Sequence, residues 1–257
     1  MLALDDGGIG GLISLGILSH LEESLAAISS HSYAFRLCDF FDYIAGTSTA
    51  AIIAAGLARG MSVRVDGGMT PYNKPAFLLY RMATHPLYRL EWPMGEKNLL
   101  LSSIGTGMAD APSFPANVDI VSNLTGLPST LIHAIQIEQD ITCRIAGRCT
   151  YGHFIDRELR DNTCRDVGVD CLVKEWHEAP HVTLDRDVCR AFFYARYNAD
   201  LSAEGLRALG CGNIDPGKVQ KLDAVDQIEN LLKIGLSAGE KTKHEHFGPF
   251  AQQGPTA

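Results

Sequence analysis

The sequence predicts an α/β fold whose sheet is covered by helices on both faces. Apolar strands alternate with helical segments along the chain, which is typical of α/β proteins. Residues 98–104 form a largely apolar run bounded by Gly105 and Gly107, and such a strand is typical of a sheet buried on both faces. With 257 residues, of which 46% are hydrophobic, the chain is long enough for one large domain with a sizeable core.

The first element is a short strand over residues 2–5, followed by the glycine-rich loop 6–11. A helix follows from about Leu12 to Ser29, because its leucines and isoleucines form one apolar stripe. Backbone N–H groups of such a loop and the helix N-terminus form an anion site. Three readings of the loop are open: a dinucleotide site, an oxyanion hole or a plain structural turn. The glycine spacing gives G-x-G-x-x-G in neither frame, which argues against the dinucleotide site.

A second strand, turn and helix contain Gly46-Thr47-Ser48-Thr49-Ala50, which departs from G-x-S-x-G only at its last position. In a nucleophile elbow this turn lifts the serine hydroxyl above the carboxyl edge of a sheet. Small residues are needed there because the strand and the helix, predicted over 49–60, pass close to each other at a sharp bend. Alone the pattern is weak, since plain strand-helix turns also carry small residues around a serine.

Asp66 follows Ser48 by 18 positions, and the predicted elements allow the two residues to meet. A helix over 49–60 descends roughly 18 Å at about 1.5 Å per residue. A strand over 62–65 climbs back about 13–17 Å at about 3.3 Å per residue. Asp66 therefore returns nearly to the height of Ser48, on a neighbouring parallel strand reached by a right-handed crossover.

The remaining elements follow from apolar periodicity and turn residues. They are a helix over 74–83, the strand over 98–104, a surface loop over 108–118, a helix over 127–145, a strand over 190–197, a short helix from near Ser202 and a final amphipathic helix over 224–238. The charged segment 150–180 has no clear pattern, and a disordered tail is predicted from Gly248.

Charge and composition exclude several classes of function. The net charge of −8 gives no support for a nucleic-acid partner. The N-terminus shows no signal peptide, so a cytoplasmic location is expected. The seven cysteines contain no C-x-x-C pair, which argues against a zinc site and a disulfide framework. His244 and His246 stand at i and i+2, where side chains on a helix diverge, so a solvated terminus is predicted and no metal.

Three motifs, in the order Asp5-Asp6-Gly7-Gly8-Ile9-Gly10-Gly11, Gly46-Thr47-Ser48-Thr49-Ala50 and Asp66-Gly67-Gly68, resemble the patatin-like phospholipase family. In that family a D-G-G-G-x-R-G loop supplies the oxyanion hole, G-x-S-x-G the nucleophile and D-G-[GA] the catalytic aspartate. Further similar stretches extend the resemblance over nearly the whole chain. It implies a three-layer sandwich with a mostly parallel central sheet, as one domain over residues 1–247 with a flexible tail over 248–257.

The resemblance also implies a function: a lipid acyl hydrolase of the phospholipase A or esterase type. Ser48 would be the nucleophile and Asp66 its base, in a dyad without histidine, metal or cofactor. The N–H groups of Gly7 and Gly8 would stabilise the oxyanion, and the motif glycines Gly11, Gly46 and Gly67 would support the turns. The partner would be a lipid or fatty-acyl ester, met in the cytoplasm with transient contact to a membrane surface.

Four departures from the family pattern favour an alternative. Asp6 stands where the family has glycine, Gly10 where it has a basic residue and Ala50 where the elbow ends in glycine. The stretch between Ser48 and Asp66 is also much shorter than in the family, as if the chain were internally deleted near residues 63–64. The alternative is therefore a catalytically impaired relative that serves as a binding or scaffold protein, or a decayed gene product. A nucleotide-binding domain, suggested by the glycine-rich loop alone, is a poor third reading.

Overall fold

A five-stranded parallel sheet forms the centre of the protein. The computed structural model describes residues 1–5, 8–29, 35–46, 49–58, 74–108, 136–152, 190–221 and 224–252. The strands are β1 (Leu2–Leu4), β2 (Ile44–Gly46), β3 (Leu100–Ile104), β4 (Arg148–Tyr151) and β5 (Phe193–Tyr197). Their order is β2-β1-β3-β5-β4, and every neighbouring pair is parallel. The predicted α/β class is thus confirmed.

Helices connect and cover the strands. They are α1 (Gly11–Ala26), α2 (Thr49–Ala58), α3 (Ala76–Thr84), α4 (described over residues 136–146), α5 (Ala203–Ala208), α6 (Pro216–Val219) and α7 (Ile228–Gly239). Short 3-10 segments lie at Gly8–Gly10, Leu37–Asp39, Pro86–Tyr88, Val225–Gln227 and His244–Gln252. None of the helices in the described ranges is long and apolar enough to cross a membrane. The strand predicted over 62–65 lies outside the described residues.

The sheet carries a separate apolar core on each face, because side chains alternate between the faces of a strand. Leu2 and Leu4 of β1 belong to a cluster with residues of α1, α2 and α7. Ala3, between them, belongs to a second cluster with residues of α3 and with Cys143 of α4. The described residues therefore form three layers, with β3 fully buried in the middle as its apolar sequence predicts.

The register of the sheet aligns the ends of its strands. Leu4 of β1 pairs with Gly46 of β2 on one side and with Ile104 of β3 on the other. Ile104 in turn pairs with Tyr197 of β5. All strands run in the same direction, so the segments that follow them leave the sheet at one edge. Ligands of open parallel α/β sheets bind outside this carboxyl edge.

Helices α1 and α7 touch each other through glycines. A Cβ atom on Gly235 would lie 2.6 Å from the carbonyl oxygen of Ile13, and one on Gly239 would lie 2.8 Å from the carbonyl oxygen of Gly16. Both distances are shorter than Cβ atoms tolerate, and both neighbours are backbone atoms that cannot rotate away. The two helices can pack at this distance only because these positions lack side chains.

We expect Gly235→Ala to destabilise the protein although alanine is the better helix former. The added methyl must push α7 away from α1, and overpacking of this kind costs about 1–3 kcal/mol. Gly217→Ala in α6 is the matched control, since its Cβ would meet only the Asp215 Oδ1 atom, at 3.5 Å. Urea unfolding of both variants checks the prediction. Equal stabilities of the two variants would show that the helices separate without cost.

The C-terminal end differs from its sequence-based prediction. Residues 248–252, predicted to belong to a tail, are part of the 3-10 segment His244–Gln252, and Phe250 packs on Phe193 of β5 with ring centroids 6.1 Å apart. His246, predicted to be solvated, is half-buried and stacks on Tyr151 at 4.0 Å. The chain returns to the sheet here, which a local sequence pattern cannot show. Residues 253–257 lie outside the described residues.

Candidate functional site

The two N-terminal motifs leave the sheet from neighbouring strands at the same edge. Asp5 follows β1 directly, and the described part of the glycine-rich loop resumes with the turn Gly8–Gly10, which leads into α1. Gly46 ends β2, and α2 begins at Thr49. The backbones of the two strands are hydrogen-bonded partners with Leu4 beside Gly46. This adjacency places the turn Gly8–Gly10 and the start of α2 at the same edge of the sheet.

The predicted site residues are only in part among the described residues. Gly8 has φ of +52°, a left-handed conformation that favours glycine. Gly11 is the buried first residue of α1, and Gly46 is the last residue of β2. Ser48, Asp66, Gly7 and Gly67 lie outside the described residues, so the dyad and its oxyanion donors remain predictions.

The space around residue 10 explains why this position is a glycine. A Cβ atom at this position would lie 2.9 Å from the carbonyl oxygen of Thr106 and 3.2 Å from its Cβ. Thr106 belongs to the loop that follows β3, so this loop occupies the space into which a side chain of residue 10 would extend. The glycine at position 10, where the family pattern has a basic residue, thus allows the turn Gly8–Gly10 and the loop after β3 to approach closely.

A buried ion pair lies immediately before the glycine-rich loop. The guanidinium of Arg196 in β5 lies 2.6 Å from Asp5 Oδ2 and donates a hydrogen bond to Ser103 Oγ of β3 at 2.8 Å. The side chains of Arg196 and Asp5 are only 5% and 1% exposed. Burial alone would lower the pKa of Arg196, but the Asp5 carboxylate raises it above its ordinary value, so the guanidinium stays charged.

A second charged cluster lies on the same face of the sheet and is centred on Asp140 of α4. Its carboxylate is 3.5 Å from Lys74 Nζ and 3.1 Å from Arg144 Nε, and it accepts a hydrogen bond from the hydroxyl of Tyr194 at 2.7 Å. Burial raises the pKa of Asp140, but Lys74 and Arg144 outweigh burial and bring it to about 2. Asp140 is therefore ionised and holds the segment that begins at Lys74 against α4.

The buried Lys74 should make the free energy of unfolding increase with pH in the alkaline range. Burial, and next the charge of Arg196, lower its pKa to about 8, whereas the unfolded chain keeps the ordinary value of 10.5. Between these two pH values the unfolded state binds more protons than the folded state, so stability rises with pH. We expect a gain of up to about 3 kcal/mol from pH 7.5 to 10.5, which Lys74→Met should lack. Urea unfolding of both chains across this range checks the difference; parallel pH profiles would contradict it.

A cavity of about 250 Å³ opens where β5 ends, between α1, α5 and α7. Its wall combines apolar residues such as Ile17 and Leu209 with Asn198, Asp200 and Lys241. Arg196 also lines it, so this residue belongs both to the ion pair and to the cavity wall. The volume is below the roughly 300–1,000 Å³ of typical drug-sized ligand pockets. One strand, β3, lies between β1 and the strand β5 at which the cavity opens.

Metal-binding side chains do not cluster in the described ranges. No group of three or more His, Cys, Asp or Glu side chains there could hold a metal ion. His246 instead stacks on Tyr151 and forms a hydrogen bond of 3.1 Å with the Tyr197 hydroxyl through Nδ1. His85 accepts a hydrogen bond from the backbone N–H of Leu87 and caps a 3-10 turn.

Sequence reasoning did not identify Arg196, Lys74 or Asp140 as important residues. A signal was present for Arg196, since it is the one charged residue within the otherwise apolar and aromatic strand 192–197. A charged side chain in a buried strand requires a partner. Asp5 was visible as the first residue of the glycine-rich motif, but its pairing with Arg196 is a tertiary contact.

Comparison with known proteins agrees with the motifs. The model of the family described as patatin-like phospholipase matches residues 2–103. A cGAMP-activated phospholipase of Escherichia coli (strain TW11681) is 41% identical over 64 residues, which are 25% of this chain and 18% of that protein. Patatin-like protein 1 of Oryza sativa subsp. indica is 50% identical over 58 residues, covering 23% and 14% of the two chains. No solved structure matches the chain.

A longer similarity has lower identity. The intracellular phospholipase A2 of Caenorhabditis elegans is 29% identical over 122 residues, which cover 41% of this chain and 10% of that protein. The chain thus spans less than a fifth of the length of each of these three relatives. All three similarities are to proteins named patatin-like or phospholipase, as the matched family is. The predicted resemblance to the patatin-like phospholipase family is therefore confirmed, with the family match lying in residues 2–103 of this α/β chain.

Proposed function

We propose that this chain is a lipid acyl hydrolase that cleaves carboxylic esters through Ser48 and Asp66. The observation that carries the proposal is the adjacency of β1 and β2, whose carboxyl ends precede the glycine-rich loop and the start of α2. The family match covers both motifs and Asp66. The N-terminus of α2, a helix of 10 residues, adds a positive partial charge beside the serine position.

The proposed reaction has two steps. Ser48 Oγ attacks the ester carbonyl while Asp66 accepts the hydroxyl proton, and the N–H groups of Gly7 and Gly8 stabilise the oxyanion. The C–O bond to the alcohol then breaks, the alcohol leaves with the proton from Asp66, and an acyl-enzyme remains. Water attacks the acyl-enzyme as Asp66 takes its proton. The fatty acid leaves, and the proton returns to Ser48.

The substrate class is a fatty-acyl ester of a lipid. Two of the three relatives are named phospholipases, and the matched family is described as patatin-like phospholipase. We further propose that the hydrolase works in the cytoplasm and touches a membrane surface transiently, as an ester within a lipid bilayer requires. The catalytic domain, predicted over residues 1–247, would be internally shortened near residues 63–64 and would include the packed residues 248–252.

Hydrolysis of p-nitrophenyl esters tests the proposal. Purified protein is given butyrate, octanoate and palmitate esters, and release of p-nitrophenolate is followed. Turnover well above the rate in buffer, with preference for the longer acyl chains, is the expected result. Rates equal to buffer for all three esters, from protein that is folded by circular dichroism, would refute the hydrolase.

A second candidate is a relative that binds lipid without cleaving it. The close approach of Thr106 to Gly10 favours it, because it leaves no space for a side chain at residue 10. This position therefore lacks the cation that the family pattern has beside the oxyanion. A binder of this kind retains palmitate esters in an equilibrium binding assay while releasing no product. Release of product at a rate that saturates with ester concentration would exclude it.

A further inference from the structure

Arg196 joins the three central strands where the glycine-rich loop begins. Its guanidinium contacts Asp5 Oδ2 at the end of β1 and Ser103 Oγ near the end of β3, and Arg196 itself lies near the end of β5. One side chain thus holds the positions of three strand ends. Both charged groups of the pair are almost completely buried, so water cannot replace either partner.

Asp5 is fixed from two sides. Its side chain is held by Arg196, and its backbone N–H donates to the carbonyl oxygen of Ile104 at 2.9 Å. Both carboxylate oxygens of Asp5 are buried and make no hydrogen bond of good geometry in the described part of the chain, so the ion pair of Oδ2 with Arg196 is the contact that compensates their charge. A buried carboxylate that has one cation within 4.0 Å among the described residues depends strongly on that cation for its position.

The segments that follow β1, β3 and β5 contact one another next to the ion pair of Asp5 and Arg196. Asn198, two residues after Arg196, accepts a hydrogen bond from the N–H of Gly107 at 2.8 Å. Ser14 of α1 donates to the carbonyl oxygen of Gly105 at 3.0 Å. With the contact of Gly10 and Thr106, the turn Gly8–Gly10 is packed against the loop that follows β3. A shift of Arg196 would therefore reach this turn through Asp5 and through the loop after β3.

A buried ion pair is not needed for stability alone, because apolar residues of similar volume often replace such pairs without loss. We propose that Arg196 is a positioning residue: through Asp5 it sets the backbone of the glycine-rich loop that would hold the oxyanion. This inference rests on the proposed hydrolase function. Misplacing a catalytic group by about 1 Å costs about 10²-fold in rate, and removing one oxyanion donor costs about 10²–10³-fold in kcat.

The test compares the parent with R196M and with the double variant D5L/R196M, which replaces both charges by apolar side chains. R196M leaves Asp5 buried without its cation and is expected to be less stable. The double variant should recover stability. We expect its kcat for p-nitrophenyl octanoate to remain about 10²-fold below the parent while KM stays within about twofold.

Hydrogen exchange gives a readout that does not need activity. The amides of residues 8–11 should exchange at least about tenfold faster in D5L/R196M than in the parent. R144M is the matched control, since it removes an arginine paired with an aspartate on α4, and its exchange at residues 8–11 should equal the parent's. Should the double variant not fold, R196K serves instead. Lysine keeps the positive charge but cannot contact Asp5 and Ser103 at the same time through a planar guanidinium.

The possible outcomes distinguish failure of the positioning role of Arg196 from failure of the proposed hydrolase function. Recovery of both kcat and slow exchange in D5L/R196M would overturn the positioning role and leave a purely structural pair. A parent that hydrolyses no ester would refute the proposed function, while faster exchange at residues 8–11 would still support the role of Arg196. Unchanged exchange at residues 8–11 in the double variant, or in R196K if the double variant does not fold, would overturn the positioning role of Arg196 whatever the activity.

Discussion

Ser48→Ala should reduce ester hydrolysis to the rate measured in buffer and leave the fold intact. Loss of the nucleophile in a serine hydrolase lowers kcat by up to about 10⁶-fold, because no other group can form the acyl-enzyme. Ser48 directly precedes α2 in the sequence, so removal of its hydroxyl should cost no more than the roughly 0.5–2 kcal/mol of a lost helix cap and leave the protein folded. Hydrolysis of p-nitrophenyl octanoate together with urea unfolding measures both quantities.

Two further variants make this comparison specific. Asp66→Asn should lose activity as well, since an amide cannot accept the serine proton. Asp42→Asn is the matched control, because Asp42 is exposed just before β2 and has no role in the proposed reaction. We expect Asp42→Asn to keep the parent's kcat. Activity that survives Ser48→Ala would show that another group, or a contaminant, cleaves the ester.

Asp140→Ala should cost about 3–5 kcal/mol of unfolding free energy, the usual cost of breaking a buried ion pair from one side. The substitution leaves Lys74 buried with a side-chain exposure of only 1% and without its carboxylate, and it removes the acceptor of the Tyr194 hydroxyl. A loss of this size is a large share of the stability of an ordinary domain. Urea unfolding at pH 7 measures it.

A paired substitution is the control for this effect. In Lys74→Met/Asp140→Leu both buried charges are replaced by apolar groups, and most of the lost stability should return. Arg144 is partly exposed, so its guanidinium can turn to water when Asp140 is absent. If Asp140→Ala costs less than about 1 kcal/mol, the cluster does not hold the segment at Lys74 in the way described.

The buried strands of the fold could be predicted from the sequence, whereas the edge strand β4 could not. The strands β1, β3 and β5 are buried and consist largely of apolar and aromatic residues, so their composition indicates them. The edge strand β4 has the sequence Arg-Cys-Thr-Tyr, and none of its residues is fully buried. A short polar edge strand carries no such pattern, because only one of its sides pairs with the sheet.

Some features of the candidate site could also be predicted from the sequence, and others could not. The motifs around Gly8 and Gly46 are local sequences, and the structure places Gly46 at the end of β2 and Gly8 in the turn that follows the neighbouring strand β1. The pairing of Asp5 with Arg196 and that of Lys74 with Asp140 join residues far apart in sequence, so no local pattern specifies them. Gly10 was read as a lost cation, whereas the structure adds a steric reason in the position of Thr106.

Labelling with a fluorophosphonate tests the central claim most directly, because this reagent reacts with an activated serine and needs no knowledge of the lipid. The account predicts one adduct per chain in the intact-mass spectrum, located on the peptide that contains Ser48 and absent from Ser48→Ala. An unlabelled but folded parent, or an adduct that persists in Ser48→Ala, would contradict it.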